Sequence, residues 1–356
     1  MNEIKDLVAI SRYAGERFDL VQAGGGNSSV KFESGEMVIK ASGFLLSDVC
    51  DDTGYSKVYT KQISQIVKNK EVINTTIKKQ REEITSKLVQ DATIDTLNRP
   101  SIETLLHSFL SKYTLHTHPV VVNMIVIQKE FKTILKNIFK DDNIVLVNYQ
   151  TPGIELALAL DKELEKCSKT PNIIFLQNHG LIVTSDKVEE IKTLTEYVIS
   201  KIENYLNIDM NKYKLTNNIT SLLNSVKINS NISYLNDDQF LNEQIIKNRN
   251  LFFDTPFCPD SLVYCGVSSC EVDDLSSCES IREYKNKYFE LPKVILYKNH
   301  LFFNAINIKK AKEIQEVFKF HIMVLSRNKD TENNFLSLNE LAYLSNWEAE
   351  KYRQGI

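Results

Sequence analysis

The sequence predicts a mixed α/β protein with one large domain and a smaller one after it, on three observations. Strand-like apolar runs alternate with helix-patterned segments along the whole chain. At 356 residues, with 42% hydrophobic and 25% charged side chains, there is enough material for one full core and a second, smaller one. From about Tyr213 to Asp238 the composition turns to Asn, Ser and Lys with a weak apolar pattern, which reads as a linker. The expected division is therefore residues 1–212, a linker over 213–238, and an extension over 239–356.

The opening stretch, Met1 to Phe18, intersperses charges among its apolar residues, so it lacks the apolar centre of a signal peptide and the length of a membrane span and reads as an amphipathic helix. Gly24-Gly25-Gly26 then turns into the strand-like Asn27-Ser28-Ser29-Val30-Lys31, and Met37-Val38-Ile39-Lys40 ends at a second small-residue turn, Ser42-Gly43. Residues 61–98, rich in Lys, Glu, Gln and Thr, read as solvated helix and loop with little core contribution. Ser101 caps a helix whose stripe is Leu105, Leu106, Phe109 and Leu110, with Glu103 in its first turn. Strands are expected around Tyr113–Val120, Asn143–Tyr149 and Asn172–Val183, with a helix from Ile154 to about Cys167. The extension contains a likeness to the last of these: Val294 to Phe303 and the helix after it parallel Ile173 to Ile182 and the helix after that.

The balance of 43 basic against 46 acidic side chains, net charge −3, leaves no electrostatic footprint for nucleic acid or an anionic membrane, so the expected partner is a small molecule. The six cysteines are scattered without a CxxC pair, which predicts free thiols in a reducing, cytoplasmic setting.

Chemistry concentrates on histidine. In a strand, side chains two apart share a face, so His116 and His118 present two imidazoles side by side, half of a metal site. His179, where an apolar strand meets Gly180, offers a third, and three histidines with an open fourth position suit a catalytic zinc better than a closed structural one. The bland alternative is separate core or rim histidines, and it is the reading adopted for His107, His300 and His321. Glu103 taken alone is a first-turn carboxylate stabilised by the helix dipole.

Together, Gly25-Gly26-Asn27-Ser28-Ser29-Val30, Lys40-Ala41-Ser42-Gly43, Pro100-Ser101-Ile102-Glu103, His116-Thr117-His118-Pro119, Tyr149 to Leu156 and Gln177-Asn178-His179-Gly180 resemble, in order and spacing, the class II aldolase and adducin family over roughly residues 5–210. The pattern is most similar to the aldolase half of bifunctional rhamnulose-phosphate aldolase and dehydrogenase proteins, whose C-terminal extension Pro259–Tyr264 and Asn346–Lys351 also resemble. The resemblance implies a three-layer α/β/α fold around a central, largely antiparallel sheet, with a smaller C-terminal α/β extension. It implies His116, His118 and His179 as ligands of one Zn2+ per chain and Glu103 as the acid and base. Asn27, Ser28, Ser42, Gly43 and Ser101 become the substrate or phosphate pocket, although Ile102 stands where many sugar-phosphate aldolases have a second serine.

The expected function is thus a zinc-dependent aldolase acting on a phosphorylated ketose or related hydroxycarbonyl compound through an enediolate, in a cytoplasmic homo-oligomer, most simply a tetramer. A decarboxylase, dehydratase or epimerase of the same fold is the near alternative, and Glu103, where the epimerase branch has Asp, argues against the last. A metal-free adducin-like interaction module is the distant one, since such members lack the full histidine set.

Overall fold

The glycine turn feeds a three-strand meander in the computed structural model of the chain, which describes residues 3–94, 97–227 and 231–345. After helix α1 (Glu3–Gly15) come β1 (Asn27–Lys31), β2 (Glu36–Lys40) and β3 (Tyr55–Tyr59), paired antiparallel in that order. Helices α2 (Thr60–Gln65), α3 (Lys70–Asn74), α4 (Lys78–Asp91) and α5 (Thr104–Ser108) lead to β4 (Tyr113–Thr117), which returns to pair with β1. Then follow α6 (Val120–Val126), α7 (Phe131–Ile138), β5 (Ile144–Val147), α8 (Ile154–Leu164), β6 (Ile173–Leu176), β7 (Gly180–Ser185) and α9 (Val188–Leu206).

These strands form one sheet in the order β3-β2-β1-β4-β7-β6-β5, antiparallel except for the β5–β6 pair. Side-chain alternation divides its residues between two cores. Ile173, Phe175, Leu181 and Val183 pack with α1, α6, α7 and α9, while Ile174, Leu176 and Ile182 pack with α2, α4, α5 and α8. The three-layer α/β/α arrangement around a mainly antiparallel sheet is therefore present. Residues 61–98 contribute more than their polarity predicts: Ile63, Ile66, Val67 and Val72 are buried in the second core, because short helices need only one apolar residue per turn to seal a sheet face.

The chain divides into compact units Met1–Met210 and Asn211–Ile356. Most of the stretch read as a linker carries regular secondary structure. It contains α10 (Asn211–Val226) and β8 (Ile232–Leu235), and Ile219, Leu222 and Leu223 are buried at helical spacing beneath the polar composition. The second unit continues with α11 (Gln239–Lys247), α12 (Pro259–Cys265), β9 (Cys270–Val272), α13 (Glu279–Tyr288), β10 (Val294–Tyr297), β11 (His300–Ala305), α14 (Ile308–Arg327) and α15 (Leu338–Ser345). Its sheet runs β8-β11-β10-β9. The segment Asn346–Lys351 lies outside the described residues, and all six cysteines are free thiols.

Candidate active site

Strand pairing brings the histidines together. On β4, His116 stands directly opposite Asn27 of β1 on one side and Ile182 of β7 on the other. His118 lies just past the strand, its N–H donating to the Leu20 carbonyl at 2.9 Å. His179 ends the β6–β7 loop, where Asn178 takes a left-handed φ of 52° and its N–H bonds to the Val126 carbonyl. The close approach needs Gly180, since a Cβ there would overlap the Thr117 carbonyl oxygen. The three rings end with centroids 4.7 to 5.0 Å apart.

Glu103 sits among them. It is the N-cap of α5, one position earlier than the first-turn site the sequence suggests, and the Ser101 hydroxyl accepts its N–H at 3.3 Å. Its Oε2 lies 3.0 Å from His116 Nδ1 and accepts from Asn27 Nδ2 at 2.6 Å, and its Oε1 lies 3.2 Å from His179 Nε2 without the alignment of a hydrogen bond. Burial favours the neutral acid, but His116, His179 and the Asn27 amide outweigh it and hold the carboxyl well below the usual carboxylate range. Burial, reinforced by the neighbouring rings, pushes His118 down to about 3 and His179 to about 4, so both are neutral imidazoles at physiological pH, the form that ligates metal.

The donor set fits a divalent ion. One nitrogen from each of His116, His118 and His179 lies within 4.8 Å of the others. Both ring nitrogens of His116, His118 Nε2 and Glu103 Oε1 are buried with no hydrogen-bond partner, an expensive arrangement unless something else satisfies them.

The residues expected around the substrate divide. The bridge between Ala41 and Pro100 brings the Ser42–Gly43 turn beside Ser101, and Asn27 Nδ2 reaches Ser101 Oγ at 3.3 Å. The Ser42 amide is already committed to the Arg99 carbonyl at 2.8 Å, so that turn offers its hydroxyl and the Gly43 amide. Ser28 corrects the expectation. Adjacent strand residues face opposite ways, and its hydroxyl meets Ser11 of α1 at 2.6 Å, on the face of β1 away from Asn27. Lys40 is a component the sequence reading missed: buried, with Nζ 3.5 Å from the Gly24 carbonyl and 3.4 Å from that of Ala41, it lies in the field of Glu103. Desolvation lowers its pKa. A lysine closing the apolar run Met37-Val38-Ile39 was the signal available.

Residues 5–206 match the family described as Class II Aldolase and Adducin N-terminal domain. Over 224 residues the chain is 28% identical to the protein named "Uncharacterized oxidoreductase YuxG" of Bacillus subtilis (strain 168), covering 60% of this chain and 31% of that protein. The chain thus spans about a third of the length of that curated relative. Among solved structures, the N-terminal class II aldolase domain of a conserved protein from Thermoplasma acidophilum is 26% identical, covering 57% of this chain and 93% of that one with a TM-score of 0.49. A sugar-phosphate aldolase from Thermotoga maritima is 15% identical, covering 57% and 93%, with a TM-score of 0.40. With more than half of its length matched to the family, this chain belongs to the class II aldolases and adducins.

Proposed function

We propose that the chain is a zinc-dependent aldolase that breaks or forms a C–C bond in a phosphorylated ketose or a related hydroxycarbonyl compound. The observation that carries this reading is the convergence of three imidazoles on a buried carboxylate that contacts two of them. His116, His118 and His179 would hold the ion, which when bound supplies Lewis-acid polarisation of the substrate carbonyl. Glu103 moves the proton: it is ionised, desolvated and held by Asn27, so its basicity toward a substrate proton rises once the histidine contacts that now stabilise it are given up. Lys40 and the hydroxyls of Ser42 and Ser101 offer a cation and donors for an anionic group such as a phosphate, with Asn27 orienting Ser101 and Glu103 beside them.

The same reading assigns a cytoplasmic homo-oligomer, most simply a tetramer with sites at subunit boundaries. Its support is a set of exposed apolar side chains, Phe18, Ile127 and Tyr149, on segments that adjoin the histidine loops. No described helix is long and apolar enough to cross a membrane. Elemental analysis of protein purified without chelators, followed by an aldehyde-release screen over ketose 1-phosphates, tests the proposal. About one zinc per chain with aldehyde release supports it; protein that neither carries nor takes up a divalent ion sinks it.

A further inference from the structure

His116 and His118 are held by different means. His116 lies inside β4, paired with Asn27 of β1 on one side and Ile182 of β7 on the other. β4 ends at Thr117, so His118 stands where the ladder has stopped, and Pro119 after it has no N–H to give. The amides on either side of Pro119 turn instead to the segment between α1 and β1. His118 N–H donates to the Leu20 carbonyl and Val120 N–H to the Asp19 carbonyl, both at 2.9 Å. The same segment lies against the imidazole, since a Cβ on Gly25 would come 2.8 Å from His118 Nδ1. Yet residues 16–26 form neither helix nor strand, so something other than a backbone ladder has to fix them.

Arg17 meets that need. It is 1% exposed and Asp19 is 2% exposed, a guanidinium and a carboxylate withdrawn from water together. Arg17 Nε donates to Asp19 Oδ1 at 3.0 Å and Nη2 to Oδ2 at 2.5 Å, the two-pronged grip of a planar fork. Its Nη1 donates to Glu196 of α9, whose carboxylate also accepts from the Tyr13 hydroxyl of α1 at 2.7 Å. Its own carbonyl accepts the N–H groups of Leu20 and Val21, each at 3.1 Å. A well-packed apolar pair would fill such a space about as stably as a buried ion pair, so packing alone does not call for these charges. We propose that Arg17 is the positioning residue for His118. Through Asp19 it fixes the two carbonyls that hold the backbone on either side of Pro119, and through Glu196 and Tyr13 it ties them to two helices. The inference rests on the reading of His118 as a metal ligand.

Cobalt(II) titration of the full chain, followed by visible d–d absorption, tests it without any substrate, with melting temperatures of the metal-free protein taken alongside. Arg17→Lys keeps the charge but loses the fork, and its Kd for Co2+ should rise about 10-fold or more with an altered band shape. Asp19→Asn, which keeps the shape of the side chain and gives up one acceptor, should move both readouts the same way. Leu160→Ala is the control: it empties a buried position in the core on the α8 side of the sheet, so it should lower Tm while the Kd stays within about 3-fold of wild type. A merely structural Arg17 would behave like that control. Folded Arg17→Lys and Asp19→Asn with wild-type Kd and spectrum overturn the inference, as does an equal rise in Kd for Leu160→Ala. If Arg17→Lys does not fold, Asp19→Asn carries the same decision. Wild-type protein that takes up no Co2+ overturns the ligand reading, and this inference with it.

Discussion

The hairpin that carries His179 and the hairpin that carries His300 are built to one plan, and only the first joins a cluster of histidines among the described residues. The sheet order β8-β11-β10-β9 of the second unit repeats β4-β7-β6-β5 of the first, with the same sequence of antiparallel, antiparallel and parallel pairings. A long helix, α14 or α9, follows each hairpin. The turns differ. Leu176 pairs with Gly180 across a three-residue loop, whereas Tyr297 pairs with His300 across two residues. His300 therefore falls at the register of Gly180, not at that of His179 as the ungapped likeness implied. Where His116 stands opposite Ile182, the corresponding pair is Leu235 and Phe302. One extra loop residue puts an imidazole at the mouth, one glycine lets β4 come close, and β4 with the residue just past it brings the other two histidines. Shared topology supplies none of these.

The sharpest way to break the comparison is to remove one histidine from each hairpin. His179→Ala should drop the metal content from about one per chain to near zero while circular dichroism stays native. His300→Ala should leave metal unchanged and stability within about 0.5 kcal/mol. Equal metal loss in both would dissolve the distinction. Glu103→Gln comes next: turnover on whichever ketose phosphate proves active should fall about 10²-fold or more with the metal retained. Near-normal turnover would move the proton transfer to another group.

A smaller effect tests the register. Gly180→Ala presses a methyl group on the Thr117 carbonyl and should cost about 1–3 kcal/mol and weaken metal binding, whereas His300→Gly at the same register should cost under about 1 kcal/mol. Calorimetry of the two variants decides it, and a neutral Gly180→Ala would remove the glycine from the account. The smallest effect is a pH slope in metal-free protein. Folded values of about 3 for His107 and His118 and about 4 for His179 lie below the usual 6.5. The unfolded chain therefore takes up protons that the native one refuses. Stability is complete above about pH 6.5 and is lost as pH falls toward about 4 for His179 and about 3 for the other two, each group contributing about 1.4 kcal/mol per pH unit inside its window. In the second unit His321, pushed down to about 4 by burial, is the comparable group. Thermal melts between pH 7.5 and 4.5 should show the loss, His179→Ala should make it shallower, and a flat wild-type profile would contradict the buried neutral set.

Local pattern was enough for part of this. Strand periodicity put His116 and His118 together, the glycine turns marked the hairpins, and an apolar run ending at His179-Gly180 marked the third histidine of the cluster. These are properties of neighbours in the chain, and hydrophobic alternation records them directly. The polar α10 escaped because its buried stripe is sparse among Asn, Ser and Lys. Ser28 was misplaced because adjacent strand residues face opposite sides and a motif read as a string does not register sides. Only tertiary structure decided that Glu103 lies against two of the histidines, that Lys40 is in its field, and that His300 stands at the register of a glycine. The physical reason is that these relations run between β1, β4, α5 and the β6–β7 loop, where strand register and the length of one turn, rather than any local preference, set which side chains meet.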